Sequence, residues 1–227
     1  MRIPLSLLAL VTVVHLSAQL AGWATISGVS QVLLMPLLGW ALFAGSRAPR
    51  SRLIVLVMVA LGFSWLGDTL PRLVDPDTGF LLMVGAFLVA QIFYIAAFAP
   101  AWGTSVVAAM PIMTLPYFVA YGALVALCFE GAGALLIPVL VYGAALTAMA
   151  VLATGLGRTV GVGGAIFMLS DSLIALRAFT ELSLPANGFW VMLTYVLGQT
   201  LIVLGVLRVR VTTGIGYVDG FKGDHPK

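Results

Sequence analysis

Long apolar runs, separated by short polar gaps, fill the chain from its start to about residue 207. A helix that crosses a membrane needs about 20 such residues, and the pattern predicts eight of these helices. The runs are continuously apolar rather than alternating, which favours helices over the strands of a membrane barrel. The predicted helices cover about 3–22, 27–45, 53–71, 79–99, 104–128, 132–154, 161–180 and 187–207. We therefore expect an all-α, polytopic membrane protein, with one eight-helix domain over 1–208 and a polar cytoplasmic tail over 209–227.

Residues 1–22 resemble a signal peptide, but the polar residues His15 and Gln19 interrupt the run and seven further runs follow, so they are interpreted as the first helix. Orientation follows from the basic residues, since cytoplasmic loops carry an excess of Lys and Arg. With eight spans, both termini share a side with nine of the 11 basic residues. The two on the opposite side are Arg72 and Arg177. The distribution predicts cytoplasmic termini, and the composition is typical of a bacterial plasma membrane protein.

Composition excludes several classes of protein. Only 8% of the residues are charged and 62% are hydrophobic, whereas a soluble domain is about a quarter charged. A net charge of +3, spread over interhelical loops, does not form the basic patch of a nucleic-acid binder. One cysteine, Cys128, and two histidines cannot supply a zinc or iron–sulfur ligand set. We expect no metal, no organic cofactor and no nucleic-acid partner, while the oligomeric state stays open.

Ionisable side chains inside the predicted spans are the strongest functional signal. Each costs about 2.5–3.5 kcal/mol at the membrane centre, so such a residue usually faces the interior of the bundle. Asp68 lies late in the third predicted helix, about 6 Å from its non-cytoplasmic end, and Asp171 lies about 15 Å from the same side in the seventh. Arg177 lies closer to that side and is a candidate for holding a phosphate. The two carboxylates are the candidate catalytic pair.

Uncharged polar residues recur at helical spacing in several predicted helices. Any one of them alone is more often a helix–helix hydrogen bond. Because several helices contribute such faces, they predict one polar chamber around the carboxylates. The candidate orienting residues are Gln31, Ser64, Gln91, Tyr94, Ser170, Tyr195 and Gln199.

These residues alone fit more than one function. A small transporter or channel could use Asp68 and Asp171 for proton or ion coupling, although the sequence shows no internal repeat of the transporter kind. A non-catalytic lipid-binding protein is a further alternative. A zinc-dependent membrane hydrolase is disfavoured, since His15 is the one histidine within the predicted spans.

Five segments of the sequence resemble a known family. They are residues 33–38 (Leu-Leu-Met-Pro-Leu-Leu), 65–68 (Trp-Leu-Gly-Asp), 91–98 (Gln-Ile-Phe-Tyr-Ile-Ala-Ala-Phe), 167–179 around Ser-Asp, and 194–205 around Thr-Tyr-Val-Leu-Gly-Gln. In this order they are similar to the YhhN-like family of eight-span membrane proteins, whose characterised members are lysoplasmalogenases. The resemblance implies hydrolysis of the vinyl ether bond of a lysoplasmalogen, which yields a fatty aldehyde and a glycerophospho-alcohol.

The resemblance also implies roles for individual residues. The family's two aspartates match Asp68 and Asp171, its helix-four aromatic residue matches Tyr94, and its Tyr/Gln pair matches Tyr195 and Gln199. In two places the chain departs from the family pattern. Gln31 and Val32 stand where many members have Lys-Pro, and Gln91 stands where many have His. Both departures remove a possible cation from the site.

The chemistry of a vinyl ether suits a pair of carboxyl groups. Protonation of the alkene carbon gives an oxocarbenium ion that water traps, and glycosidases meet a similar demand with two carboxylates. We expect the deeper Asp171 to donate the proton and Asp68 to act as the base or to stabilise positive charge. No cofactor is needed for either step.

Overall fold

The computed structural model describes residues 1–211 and 217–219. Seven helical runs in these residues are long and apolar enough to cross a membrane. The eight long helices within these runs are α1 (Arg2–Ala21), α2 (Ala24–Gly45), α3 (Arg52–Thr69), α4 (Pro76–Phe98), α5 (Leu115–Ala132), α6 (Leu136–Ala153), α7 (Arg158–Phe179) and α8 (Asn187–Val206). All long elements of the described residues are helices, and the chain is therefore a polytopic helical membrane protein.

One of the seven runs, Pro111–Leu156, is 46 residues long and contains both α5 and α6. At 1.5 Å per residue a straight helix of this length would measure about 69 Å, roughly twice the apolar thickness of a bilayer. Instead it turns at Gly133, whose φ is +47°, and folds back on itself. The Tyr121 hydroxyl on α5 donates a hydrogen bond to the Leu140 carbonyl on α6 at 2.9 Å. The structure thus breaks this run into two helices, as the sequence predicts.

The fifth predicted helix begins later than the hydrophobic pattern indicates. Between 104 and 114 the chain forms a single helical turn, Val106–Ala109, and a 3-10 turn, Pro111–Thr114. Pro111 has no N–H to donate and disfavours helical backbone at Met110, so a continuous helix from residue 104 cannot form. Further 3-10 turns cover Leu70–Leu73, Ala99–Thr104, Gly133–Leu135 and Thr154–Leu156.

The predicted tail is described only in part. Strands β1 (Val209–Val211) and β2 (Tyr217–Asp219) pair antiparallel, with Arg210 opposite Val218. The rest of the predicted tail, including Lys222 and Lys227, lies outside the described residues.

Both ends of the described bundle meet at one side. A Cβ atom on Gly45, at the end of α2, would lie within 3 Å of side-chain atoms of both Met1 and Leu207. The first residue of the chain and the end of α8 are therefore neighbours. At the opposite side, Asp75 caps the start of α4 by accepting a hydrogen bond from the Thr78 N–H at 3.0 Å. That hydrogen bond holds the pKa of the exposed Asp75 carboxyl below its usual value.

A hydrogen bond between α2 and α3 compensates for a proline inside α2. Pro36 lies inside α2 and lacks the N–H that would bond the Val32 carbonyl four residues earlier. The indole N–H of Trp65 on α3 donates to this carbonyl at 3.0 Å. The interhelical bond satisfies a backbone group that lipid could not satisfy.

Helices α7 and α8 approach each other closely because glycines face each other. A Cβ on Gly163 would lie 2.8 Å from the Gly198 carbonyl oxygen, and one on Gly198 would lie 2.8 Å from the Phe167 amide nitrogen. Small residues allow this backbone contact in membrane helices. The close approach brings the Ser170–Asp171 segment of α7 beside Tyr195 of α8.

Candidate functional site

A cavity of about 490 Å³ lies between α1, α2, α3, α4, α7 and α8, on the side of the bundle where α3 ends. The exposed side chains of Arg72 and Arg177 line it, and we call the part beside them the mouth. Both candidate carboxylates also line the cavity and are buried, with 6% of Asp68 and 7% of Asp171 exposed. Of the other predicted site residues, four line it as well: the orienting residues Gln31, Ser170 and Tyr195, and the phosphate candidate Arg177.

Asp68 accepts hydrogen bonds from two side chains on different helices. Gln31 Nε2 on α2 donates to Oδ1 at 3.0 Å, and the Tyr195 hydroxyl on α8 donates to Oδ2 at 2.9 Å. Both carboxylate oxygens of Asp68 therefore have a hydrogen-bond donor. Gly67, which precedes Asp68, leaves room for the Phe87 ring, since a Cβ there would lie 2.7 Å from ring carbons.

Asp171 has a different environment. The Tyr142 hydroxyl on α6 donates to its Oδ2 oxygen. Within the described residues this is the one hydrogen bond recorded to the Asp171 carboxylate, and the aromatic and aliphatic side chains Phe80, Phe87 and Ile174 line the space around it. The two carboxylates thus face one cavity, with two donors on Asp68 and one on Asp171.

Three predicted residues lie beneath the cavity rather than in its wall. The Tyr94 hydroxyl donates to Gln199 Oε1 at 2.5 Å, and Gln199 Nε2 donates to Ser64 Oγ at 3.2 Å. We call this group the lower network; its members are almost fully buried. It ties α4 and α8 to α3 one helical turn away from Asp68 and Tyr195. The geometry supports a role in holding Asp68 and Tyr195 in place, without contact to a ligand in the cavity.

The side chains of Gln91 and Ser170 have environments that differ from those expected of residues that orient a substrate. Gln91 is fully buried and adjoins the Tyr142 hydroxyl, yet neither its amide nitrogen nor its oxygen has a hydrogen-bond partner among the described residues. The Ser170 hydroxyl donates to the Val191 carbonyl on α8 at 3.0 Å. That bond directs Ser170 toward the α7–α8 contact.

Sequence reasoning missed several residues of the site. Tyr142, the donor to Asp171, is a polar residue inside the sixth predicted helix, and this intramembrane position is the signal that could have found it. Arg72 appeared only as a loop charge, although it lines the cavity. The amide side chains Gln19 and Asn187 line the cavity too. Their positions at helix ends gave no sign of this, because only the packing of α1 and α8 brings them to the same space.

A narrow apolar cleft of about 60 Å³ adjoins the cavity. Asp171, Phe80, Met83, Phe87 and Ile174 line both spaces. Beyond these shared residues the cleft is lined by α4, α5, α6 and α7 side chains, namely Val84, Leu124, Val139, Tyr142, Gly143, Leu146, Ala175 and Phe179. The site therefore has a cationic mouth, two carboxylates in its interior and an apolar extension past Asp171.

This arrangement defines a class of protein. It is a polytopic helical membrane protein with a pair of buried carboxylates in a cavity that has a cationic mouth and an apolar extension. Residues 26–206, most of the chain, match the YhhN family, and the protein belongs to that family. The match confirms the resemblance drawn from the five sequence segments. No curated protein and no solved structure matches the chain.

Proposed function

We propose that this YhhN-family protein is an integral membrane hydrolase that cleaves the vinyl ether bond of lysoplasmalogen-type lysophospholipids. The observation that carries the proposal is the pair of buried carboxylates, Asp68 and Asp171, in one cavity that joins a cationic mouth to an apolar cleft. Membership of the family supports a hydrolase. The products would be a fatty aldehyde and a glycerophospho-alcohol.

The shape of the site fits a one-chain lipid. A phosphate at the mouth meets the guanidinium groups of Arg72 and Arg177, and charge-assisted hydrogen bonds of this kind are strong. The alkenyl chain then extends past Asp171 into the apolar cleft. In this pose the vinyl ether, which joins the glycerol to the chain, lies between the polar and apolar parts of the cavity, beside the carboxylates.

The first chemical step is a proton transfer to carbon. Protonated Asp171 donates its proton to the alkene carbon remote from the ether oxygen, and the adjacent carbon becomes an oxocarbenium centre. Asp171 is then a carboxylate, stabilised by the Tyr142 hydroxyl. The ionised Asp68, held by Gln31 and Tyr195, stabilises the positive charge of the oxocarbenium ion.

Water completes the reaction. It adds to the oxocarbenium carbon while Asp68 takes its proton, which gives a hemiacetal. Asp68 returns that proton to the glycerol oxygen as the carbon–oxygen bond breaks, and the hemiacetal hydroxyl gives its proton to Asp171. Asp171 is then protonated and Asp68 ionised, as at the start, so the reaction needs no cofactor.

We propose further that the bundle crosses the membrane eight times, with both termini in the cytoplasm of a bacterium. The fold of α5 against α6 supports two crossings within the 46-residue run. The proximity of Met1 and Leu207 at one end supports an even number. On this arrangement the mouth of the cavity faces the non-cytoplasmic side.

Aldehyde release from a synthetic lysoplasmalogen tests the proposal. Purified wild type is compared with Asp68→Asn and Asp171→Asn, with Asp77→Asn as the control, since Asp77 is exposed and outside the cavity. Loss of either carboxyl should lower kcat by about 10³-fold or more, while the control retains the wild-type rate. A folded wild type that releases no aldehyde would refute the hydrolase and favour a transporter or a lipid-binding protein.

A further inference from the structure

Although Arg72 is exposed, its guanidinium forms hydrogen bonds with two residues of the site, Asp68 and Gln31. Its Nε–H donates to the backbone carbonyl of Asp68 at 3.1 Å, and its Nη2 donates to Gln31 Oε1. Its Nη1 lies against the backbone of α2 at Gly28, where a Cβ would be 3.0 Å away. A guanidinium has five N–H donors, and the recorded bonds within the described residues use two of them. The other three have no hydrogen-bond partner among the described residues, and Arg72 lines the cavity that a ligand would occupy.

Gln31 connects this guanidinium to the Asp68 carboxylate. Its Oε1 accepts from Arg72 and its Nε2 donates to Asp68 Oδ1 at 3.0 Å. If the amide turned over, its NH₂ group would face the guanidinium and its oxygen would face the carboxylate. Both contacts would then be repulsive, so the amide has one favourable orientation. The Arg72 charge therefore acts on Asp68 through Gln31, and it polarises the amide N–H that holds the carboxylate.

We propose that Arg72 is a positioning residue for Asp68, acting through Gln31, and that its free donors bind the anionic phosphate of the lipid head group. Arg72 then both binds the head group and orients the Asp68 carboxylate. The inference rests on the proposed function and deepens it, because it identifies how an anionic substrate is coupled to the base. Arg177 lines the same cavity from α7 and, among the described residues, makes no hydrogen bond to Gln31 or Asp68. We therefore expect Arg177 to bind the phosphate without positioning Asp68.

Two substrates separate the two parts of the proposal: an alkenyl lysophospholipid, and the corresponding alkenylglycerol, which has no phosphate. Arg72→Ala should lower kcat about tenfold on both, the effect of one hydrogen bond to a charged group. It should also raise KM about tenfold, but only for the phosphate-bearing substrate. Arg72→Lys keeps the charge without the planar fork that spans the Asp68 carbonyl and Gln31. It should therefore restore KM more fully than kcat.

A double-mutant cycle tests whether Arg72 acts through Gln31. Gln31→Ala should lower kcat as Arg72→Ala does, and adding Arg72→Ala to it should lower kcat by less than about twofold further. Arg158→Ala, at the opposite end of the bundle, is the control for removing an exposed arginine. Independent tenfold effects that multiply, or an unchanged kcat on alkenylglycerol in Arg72→Ala, would overturn the positioning role.

Gly28 offers a variant that leaves Arg72 present. Gly28→Val places a Cβ 3.0 Å from Arg72 Nη1, so the guanidinium must shift, whereas a Cβ at Gly39, on the same helix, meets no atom within 4 Å. The first should reproduce part of the Arg72→Ala loss in kcat and the second should not. Equal effects of the two valines would contradict the proposed geometry.

Binding of a non-cleavable alkyl lysophospholipid distinguishes this inference from the proposed function. If wild type cleaves neither substrate, the hydrolase proposal fails, and with it the positioning role. The phosphate contact is then decided by binding alone. About tenfold weaker binding in Arg72→Ala than in Arg158→Ala supports it, and equal binding overturns it.

Discussion

The Tyr142 hydroxyl gives the sharpest test of the proposed acid. It donates to Asp171 Oδ2, and it is the one recorded hydrogen-bond partner of that carboxylate within the described residues. In the proposed mechanism Asp171 acquires negative charge as it protonates the substrate, so this bond strengthens in the transition state. Tyr142→Phe removes the hydroxyl and leaves the ring that lines the apolar cleft.

The magnitude follows from the lost contact. A hydrogen bond to a charged group contributes about 1.5–3 kcal/mol, and each 1.36 kcal/mol is tenfold in rate. We therefore expect kcat to fall about 10- to 150-fold, with little change in KM, because the ring still fills the cleft. Tyr195→Phe should have a smaller effect than Tyr142→Phe, since Asp68 keeps the second donor Gln31.

The assay couples aldehyde release to an alcohol dehydrogenase that consumes NADH, with purified protein in detergent micelles. Tyr121→Phe is the matched control, because its hydroxyl bonds to the Leu140 backbone carbonyl and lies outside the cavity. Thermal unfolding of each variant shows that the fold is intact. A Tyr142→Phe protein with wild-type kcat would refute the assignment of Asp171 as the acid supported by this tyrosine.

Two further predictions concern packing and the chain site. Gly198→Ala places a Cβ 2.8 Å from the Phe167 amide nitrogen on α7, so α7 and α8 must separate, which should destabilise the protein by about 1–3 kcal/mol. Gly62→Ala enters open space and should be neutral or slightly stabilising in thermal unfolding, so equal losses would contradict the close-contact interpretation. Ala175→Leu fills the apolar cleft and should exclude two or three methylenes of the alkenyl chain, at ~0.8 kcal/mol each. We expect KM for long-chain substrates to rise roughly 10- to 60-fold while KM for short-chain substrates is unchanged. The control is Ala148→Leu, since Ala148 is exposed on α6 and does not line the cleft. An equal rise for both chain lengths would show that the chain lies elsewhere.

Much of the fold could be predicted because the bilayer acts on sequence directly. Every backbone N–H and C=O inside lipid must be satisfied locally, so a continuous apolar run has few alternatives to a helix. The same reasoning selected Asp68 and Asp171, since an ionisable residue inside such a run is costly and must face the interior. The start of α5 was harder to place, because hydropathy does not register the backbone effect of Pro111.

The partners of the two carboxylates depended on tertiary structure. Tyr142 and Asp171 are 29 positions apart, and Gln31 and Asp68 are 37 apart. Helical periodicity relates residues three or four apart on one helix face, and it carries no information about which face meets which. Sequence reasoning could place Ser64 on the face of Asp68, but only packing shows that Ser64 bonds Gln199 in the lower network.

What the sequence alone determined about this protein is its all-helical membrane class, its approximate helix positions and its two intramembrane carboxylates. These follow from local rules of hydropathy and charge. Only the tertiary structure decided that Arg72 reaches Asp68 through Gln31, and that Tyr142 holds Asp171. The reason is physical: those contacts depend on how closely helices approach, and that distance is set by backbone contacts such as Gly163 with Gly198.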